Sequence, residues 1–256
     1  MKKMPFVRYV NLLVFLATLT ANGLANALPL NNQTTGEISD RFDVYFVPAG
    51  YVFAIWGLIY LALGAFAIYQ LLPAQRDNAL IDRIGYVFAV GSLANTAWIF
   101  LWHYEYFPLT LAAMIVLLIS LIVVYLRIRV GREQVSTADR WLVQIPFQIY
   151  LGWITVATIA NVTSLLEFLG WGGWGISPEI WAVVMLVVGA VVAGLVSLTR
   201  NDIPYVLVII WAFAGIAVKH AETSIVMLPA AGLAVLLAVV MVFSAVRNRQ
   251  QRTLFS

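Results

Sequence analysis

Stretches of about 20 mostly apolar residues recur eight times along this chain of 256 residues, and each is long enough for an α-helix to cross the hydrocarbon of a bilayer. They run over roughly 9 to 30, 48 to 72, 84 to 103, 108 to 127, 141 to 167, 179 to 199, 203 to 219 and 225 to 246. Turn formers or charge separate them, as in Asn31-Asn32-Gln33, Pro73 to Asp82, Arg127 to Arg140 and Gly170 to Pro178. In hydrocarbon every backbone N–H and C=O has to find its partner within the segment, so such runs fold as helices. Only 11% of the chain is charged and 62% is apolar, against about 25% charged in soluble domains. The expected fold is an all-α, polytopic transmembrane helix bundle of about eight spans. Cys is absent, which removes disulfide scaffolds, Cys-based zinc sites, iron–sulfur clusters and thiol nucleophiles. His103 and His220 are the only histidines, the net charge is +3, and no nucleic-acid signature or metal site is expected.

With the N-terminus inside, 13 of the 15 Lys and Arg residues fall in inner segments, and only Arg41 and Lys219 in outer ones. The positive-inside rule then puts both termini in the cytoplasm, which an even number of spans requires. Lys2, Lys3 and Arg8, followed by an apolar run ending in Ala25-Asn26-Ala27, also have the form of a signal peptide. That run is long for one, so the first span is expected to be retained, in a bacterial-type cytoplasmic membrane. The polar outer segment 31–47 is expected to be a surface loop, with the option of acting as a lid.

A polar side chain inside hydrocarbon is costly unless it meets a partner or a cavity, so function is sought at the polar positions within the spans. Trp56 and Tyr60 lie at i, i+4 on the second span, Asn95 and Trp98 at i, i+3 on the third, and Trp153, Ala157 and Asn161 at i, i+4, i+8 on the fifth. Asn22 and Asn26 repeat the i, i+4 spacing on the first. Each set shares one helix face, and counting inward places all four in the outer half of the bundle. On periodicity alone interhelical packing is the first reading of such residues, because Asn bridges membrane helices and Trp fills cores. A pocket for a flat, largely apolar ligand is the functional alternative. Trp102, Trp141, Trp171, Trp174 and Trp181, near span ends, are expected in an interfacial belt. Trp211 lies mid-span. His103 is read as an exposed loop residue, with an axial haem ligand as the alternative, and Glu167, Lys219, His220 and Glu222 as solvated charges at outer helix ends. Pro146 marks a kink in the fifth span.

Four segments extend this reading: Phe46-Val47-Pro48-Ala49-Gly50-Tyr51-Val52-Phe53-Ala54-Ile55-Trp56 through Tyr60 and Gly64; Leu93-Ala94-Asn95-Thr96-Ala97-Trp98; Pro108 to Ala112; and Tyr150-Leu151-Gly152-Trp153 through Ala157-Thr158 to Asn161. In this order they resemble the second- to fifth-helix motifs of the TspO/MBR family, the tryptophan-rich sensory or translocator proteins also known as peripheral benzodiazepine receptors. Ala49 stands where the family has a second proline, Tyr51 where it has Trp, and Ile149 where a proline precedes the fifth-helix Tyr. The family's first-loop Trp-Tyr pair is missing, with only Phe42 and Tyr45 nearby. The resemblance covers residues 8–170 and implies a five-helix translocator-like bundle there, with 171–256 as a three-helix transmembrane extension.

What the resemblance implies is a cavity for porphyrin, haem and related tetrapyrroles, or for sterol-like molecules, lined by Trp56, Tyr60, Asn95, Trp98, Trp153, Ala157 and Asn161. Asn22 and Asn26 are added from their depth and spacing. No cofactor is required, porphyrin or haem being a ligand; in the lipid bilayer the resemblance implies a homodimer, unless the three extra helices occupy the dimer face. A sensor or carrier for tetrapyrroles is therefore the first expectation. A secondary transporter is the second, although mid-span carboxylates and repeated halves are not evident. A porphyrin-degrading enzyme using Trp56 and Trp153, and a regulatory interaction protein without a ligand, are the others. For the last of these, Gly189, Ala190, Ala193 and Gly194 offer a packing face.

Overall fold

The computed structural model describes residues 5–28 and 30–254. Every regular element among them is helical: α1 Phe6–Ala27, α2 Thr35–Asp40, α3 Ile55–Tyr69, α4 Ala79–Asp82, α5 Val87–His103, α6 Phe107–Arg127, α7 Thr137–Asp139, α8 Ile145–Phe168, α9 Pro178–Arg200, α10 Ile203–Lys219 and α11 Ser224–Leu254. Six segments are long and apolar enough to cross a membrane. These begin at Phe6, Gly50, Phe107, Thr137, Pro178 and Ser224. The third and seventh expected spans are the shorter helices α5 and α10, of 17 residues each. At 1.5 Å per residue they reach about 25 Å, below the ~30 Å of a hydrocarbon core. Long rows of exposed Val and Leu on α9 and α11, among them Val187, Val191, Leu195, Val235 and Val239, face outward. Exposed apolar faces of this extent on helices of spanning length are lipid-contacting surfaces, and the chain is a multi-pass membrane protein.

Side-chain hydrogen bonds define two ends of the bundle. At one end Arg8, 1% exposed, donates to the carbonyls of Gln70 (2.8 Å) and Gln75 (2.7 Å) and to the Asp82 carboxylate (2.7 Å). Asp139 accepts from Tyr69 (3.2 Å) and Asn78 (2.7 Å) there, and Arg200 donates to the Val130 carbonyl (3.3 Å). This basic end collects Arg76, Arg83, Arg127, Arg129, Arg132 and Arg140 as well. At the opposite, lid end, α2 meets the α5–α6 turn and the last residue of α10.

Around α8, the most enclosed of the long helices, pack α3, α6 and α10; α5 lies between α1 and α6, and α9 and α11 flank α10. One continuous apolar cluster runs from Phe15 and Phe66 through Phe147 and Trp153 to Phe213 and Leu237. It therefore passes without a break across residue 170, the expected division between bundle and extension. The small-residue face of α9 is used inside the chain, since a Cβ on Gly189 would lie 3.1 Å from the Phe213 ring of α10. Pro146 follows a wide π-turn over Arg140–Gln144. The widened turn accommodates the proline's missing N–H at the start of α8.

The α9–α10 turn holds the one buried carboxylate at the basic end among the described residues. Asp202 is 1% exposed, and its Oδ1 caps α10 by accepting from the Tyr205 N–H (3.0 Å). Burial pushes its pKa from 3.8 up to about 6, partly offset by the Tyr205 N–H on Oδ1. That shift corresponds to about 3 kcal/mol. Since the folded value lies above the unfolded one, the stabilisation is complete below about pH 4 and is lost as pH rises through about 6. Thermal unfolding in detergent is expected to show a higher Tm at pH 5 than at pH 8. Asp202→Asn, which keeps a capping side chain, is expected to flatten that difference.

Candidate functional site

Beneath α2 lie two adjoining cavities, of about 390 and about 60 Å³. Both are walled by Thr35, Phe53, Trp56 and Trp98. The larger adds Asn22, Asp40, Tyr60 and Ile99, and the smaller adds Trp102, Met114, Trp153, Ala157, Ala160 and Asn161. Volumes of 300–1,000 Å³ with mostly apolar walls and a few polar groups are typical of small-molecule sites.

The aromatic walls are built by helix periodicity. Trp56 and Tyr60, one turn apart on α3, stack with centroids 5.4 Å apart and planes at 18°. Trp153 meets Trp56 edge-on at 6.1 Å and Phe53 at 5.6 Å. On α5, Trp98 and Trp102 stack at 5.3 Å and 18°. Edge-to-face and offset rings favour each other electrostatically, so these contacts hold the rings of the wall against one another.

The asparagines hold this wall in place. Asn22 of α1 donates to Asn95 Oδ1 of α5 (2.9 Å), and Asn95 donates to the Tyr150 hydroxyl of α8 (2.6 Å). Asn161 accepts from the Trp98 indole N–H (3.1 Å) and donates to Thr110 of α6 (2.9 Å). Interhelical packing thus describes Asn95, which is 1% exposed and borders neither cavity. Asn22 and Asn161 combine both roles, bridging helices while bordering a cavity. The side chain of Asn26 lies outside the described residues. Trp153 differs from all of these. It is 2% exposed, lines the smaller cavity, and its Nε1–H has no hydrogen-bond partner.

The cover is α2, held by a capping box in which Thr34 and Glu37 bond each other's backbone N–H (3.3 and 2.7 Å). This is the Thr-x-x-Glu pattern of Thr34 to Glu37, readable in the sequence but not singled out there. The Thr34 backbone N–H, and after it the Thr34 hydroxyl, hold the Glu37 carboxylate's pKa below 4.5. Trp102 donates to the Thr35 carbonyl (3.2 Å), Arg41 pairs with Glu105 (2.9 Å), and Lys219 pairs with Asp40 (3.0 Å). Trp102, expected in the interfacial belt, is in fact 4% exposed and anchors the lid. Its position one turn beyond Trp98 was the available signal. Trp171, Trp174 and Trp181 do gather at the lid end, 5.2 to 5.9 Å from one another. Lys219 is paired with the lid rather than with its neighbours Glu167 or Glu222.

His103, expected to be exposed, is 0% exposed. Its Nδ1 lies 2.8 Å from the Ile99 carbonyl and its Nε2 3.5 Å from Thr35 Oγ1, and it borders neither cavity. It is therefore in no position to ligate a haem iron in this space. Among the described residues no three His, Asp or Glu side chains gather as a metal site.

Helix α10 supports the pocket from behind. Gly215 passes so close to the turn Gly50–Ala54 that a Cβ there would collide with Val52 and lie 3.1 Å from Pro48. The Gly215 carbonyl accepts from Ala49 N–H (3.1 Å), and the Trp211 indole donates to the Val52 carbonyl (3.2 Å). Trp211, mid-span on α10, thus clamps the segment that carries Phe53 and Trp56. Phe53 itself was missed, although it stands three residues before Trp56 on the same face.

No curated protein and no solved structure matches this chain. A family model described as TSPO-like protein matches residues 8–243, which takes in α9, α10 and most of α11 as well as the helices whose motifs first suggested it. By that match, running from the first span to the last, the chain belongs to the TSPO-like family.

Proposed function

We propose that this protein binds a flat, largely apolar ligand of the tetrapyrrole class in the aromatic space beneath α2, as a sensor or carrier. The observation that carries this reading is Trp153: a buried indole whose N–H has no partner, on a residue that lines one cavity with Trp56, Trp98 and Ala157. An orphaned buried donor costs about 1–3 kcal/mol, and an acceptor on a bound molecule would remove that cost. A ring as broad as a porphyrin would occupy both cavities, with Trp56 and Trp98, common to the two, against its faces. Because His103 is engaged elsewhere, haem would bind without an axial ligand from that residue, and the metal-free porphyrin is the better probe. The transporter alternative receives less support. The buried ionisable groups Arg8, His103 and Asp202 lie at helix ends rather than near the midplane.

The proposed topology is eight spans, with α5 and α10 crossing a locally thinned bilayer and both termini on the cytoplasmic side of a bacterial-type membrane. It is supported by the concentration of arginines at one end of the bundle.

Titration of the detergent-purified protein with protoporphyrin IX in the dark, followed by Trp fluorescence, tests the ligand. Saturable quenching is expected. Trp153→Phe, which keeps a ring but removes the N–H, is expected to weaken binding about 3- to 10-fold. Quenching that never saturates and is equal in parent and variant would reduce the porphyrin to a solute of the detergent.

A further inference from the structure

A larger cavity than either of those beneath α2 lies on the opposite side of α3 from the aromatic pocket. It is an open lateral groove of about 890 Å³ between α3 and α10, floored by α8. Its walls are apolar along most of their length: Ile55 and Leu58 from α3, Ile145 and Ile149 from α8, and Leu207 from α10. Polar groups stand at one end only, where Thr137 and Arg140 lie beside Trp141.

The Arg140 guanidinium is exposed and makes no ion pair or hydrogen bond. The nearest carboxylate in sequence, Asp139, is occupied by Tyr69, Asn78 and Ser136, and Glu133 is held by Arg83. A free, planar, five-donor cation at the mouth of an apolar slot is suited to a phosphate oxyanion that carries a hydrocarbon chain. Trp141, 63% exposed, is of the residue type that sits at the headgroup level.

The length of the slot selects the occupant. From Arg140 to Ile149 the helix rises about 13 Å, and on α10 the groove ends against Trp211. Half of a ~30 Å hydrocarbon core is about 15 Å, the depth of one leaflet. The arginines collected at the same end would also concentrate anionic lipids around the mouth. We infer that this groove is a binding site for an anionic phospholipid, its phosphate on Arg140 and one acyl chain laid between α3 and α10. This site is independent of the tetrapyrrole pocket and stands or falls separately.

Native mass spectrometry and thermal unfolding of the detergent-purified full chain, with phosphatidylglycerol or phosphatidylcholine added at equal concentration, test it. Phosphatidylglycerol is expected to be retained preferentially and to raise the Tm. Arg140→Gln is expected to weaken its retention about tenfold, with phosphatidylcholine unaffected. Leu207→Trp, which fills the slot and leaves Arg140 in place, is expected to lose phosphatidylglycerol as well. Equal retention of the two lipids by the parent would overturn the proposal, as would an undiminished preference in both variants. Inorganic phosphate is expected to leave the Tm unchanged. Stabilisation by phosphate alone would make this an anion site without an acyl chain, and the proposal would fail.

Discussion

Replacing Ala157 by Phe is expected to weaken protoporphyrin IX binding by about 10- to 100-fold while leaving the helix content unchanged. Ala157 lies one turn after Trp153 and one before Asn161, and it supplies the small step in the wall of the smaller cavity. A benzyl side chain there would fill a space of about 60 Å³ and project toward Trp98 and Trp56. A benzyl group exceeds that space, so part of the cost falls on packing, and the loss in the complex is read after that part is measured. Dark fluorescence titration gives the affinity, and circular dichroism with thermal unfolding controls for folding. An unchanged affinity would remove the ligand from this cavity, whatever Trp153→Phe does.

Gly215→Ala is expected to cost about 1–3 kcal/mol of stability and to reduce porphyrin affinity, although Gly215 touches neither cavity. Its new methyl would collide with Val52, which is 0% exposed and has nowhere to turn, and would press on Pro48. Relief requires the turn Gly50–Ala54 to move, and Phe53 and Trp56 move with it. For a chain of this size the Tm should fall by roughly 2–10 °C. The double variant Gly215→Ala/Val52→Ala, which removes the opposing Cγ atoms, should recover most of both losses. A stability loss with normal affinity would separate α10 from the pocket and restrict it to packing.

That coupling shows where the sequence was legible and where it was not. The helices on which the site stands were readable because they obey local rules: apolar length, charge between the runs, and turn formers at the breaks. The i, i+4 pairing of Trp56 with Tyr60 and of Trp153 with Ala157 was readable for the same reason, since a helix returns to one face every 3.6 residues. The two shorter helices α5 and α10 were read by composition as spans like the rest, and at 17 residues each they stand at the short end of the spanning range.

Pairing between helices is a different kind of information. The depth argument brought Asn22, Asn95 and Asn161 to one level, but whether an amide faces a cavity or a neighbouring amide depends on helix rotation. Rotation is set by the whole packed interface. So Asn95 became a bridge to Tyr150, whereas Trp153 lines the smaller cavity and its buried N–H stays unpaired. Trp102 and His103 were misread for a related reason. Both stand at a span end, where exposure is the ordinary outcome, and both are buried because α2 folds down over them.

By itself, then, the sequence determined the class of the chain, its family, the positions of its helices and the faces on which large rings lie, all of which follow from local periodicity and from the solvent that surrounds the helix. The tertiary structure alone decided that the last three helices share the core of the first five, that α10 braces the turn before Trp56, and that a small capped helix closes the site. Those outcomes rest on contacts between residues more than 150 positions apart, such as Trp211 with Val52 and Lys219 with Asp40, which no spacing rule can express.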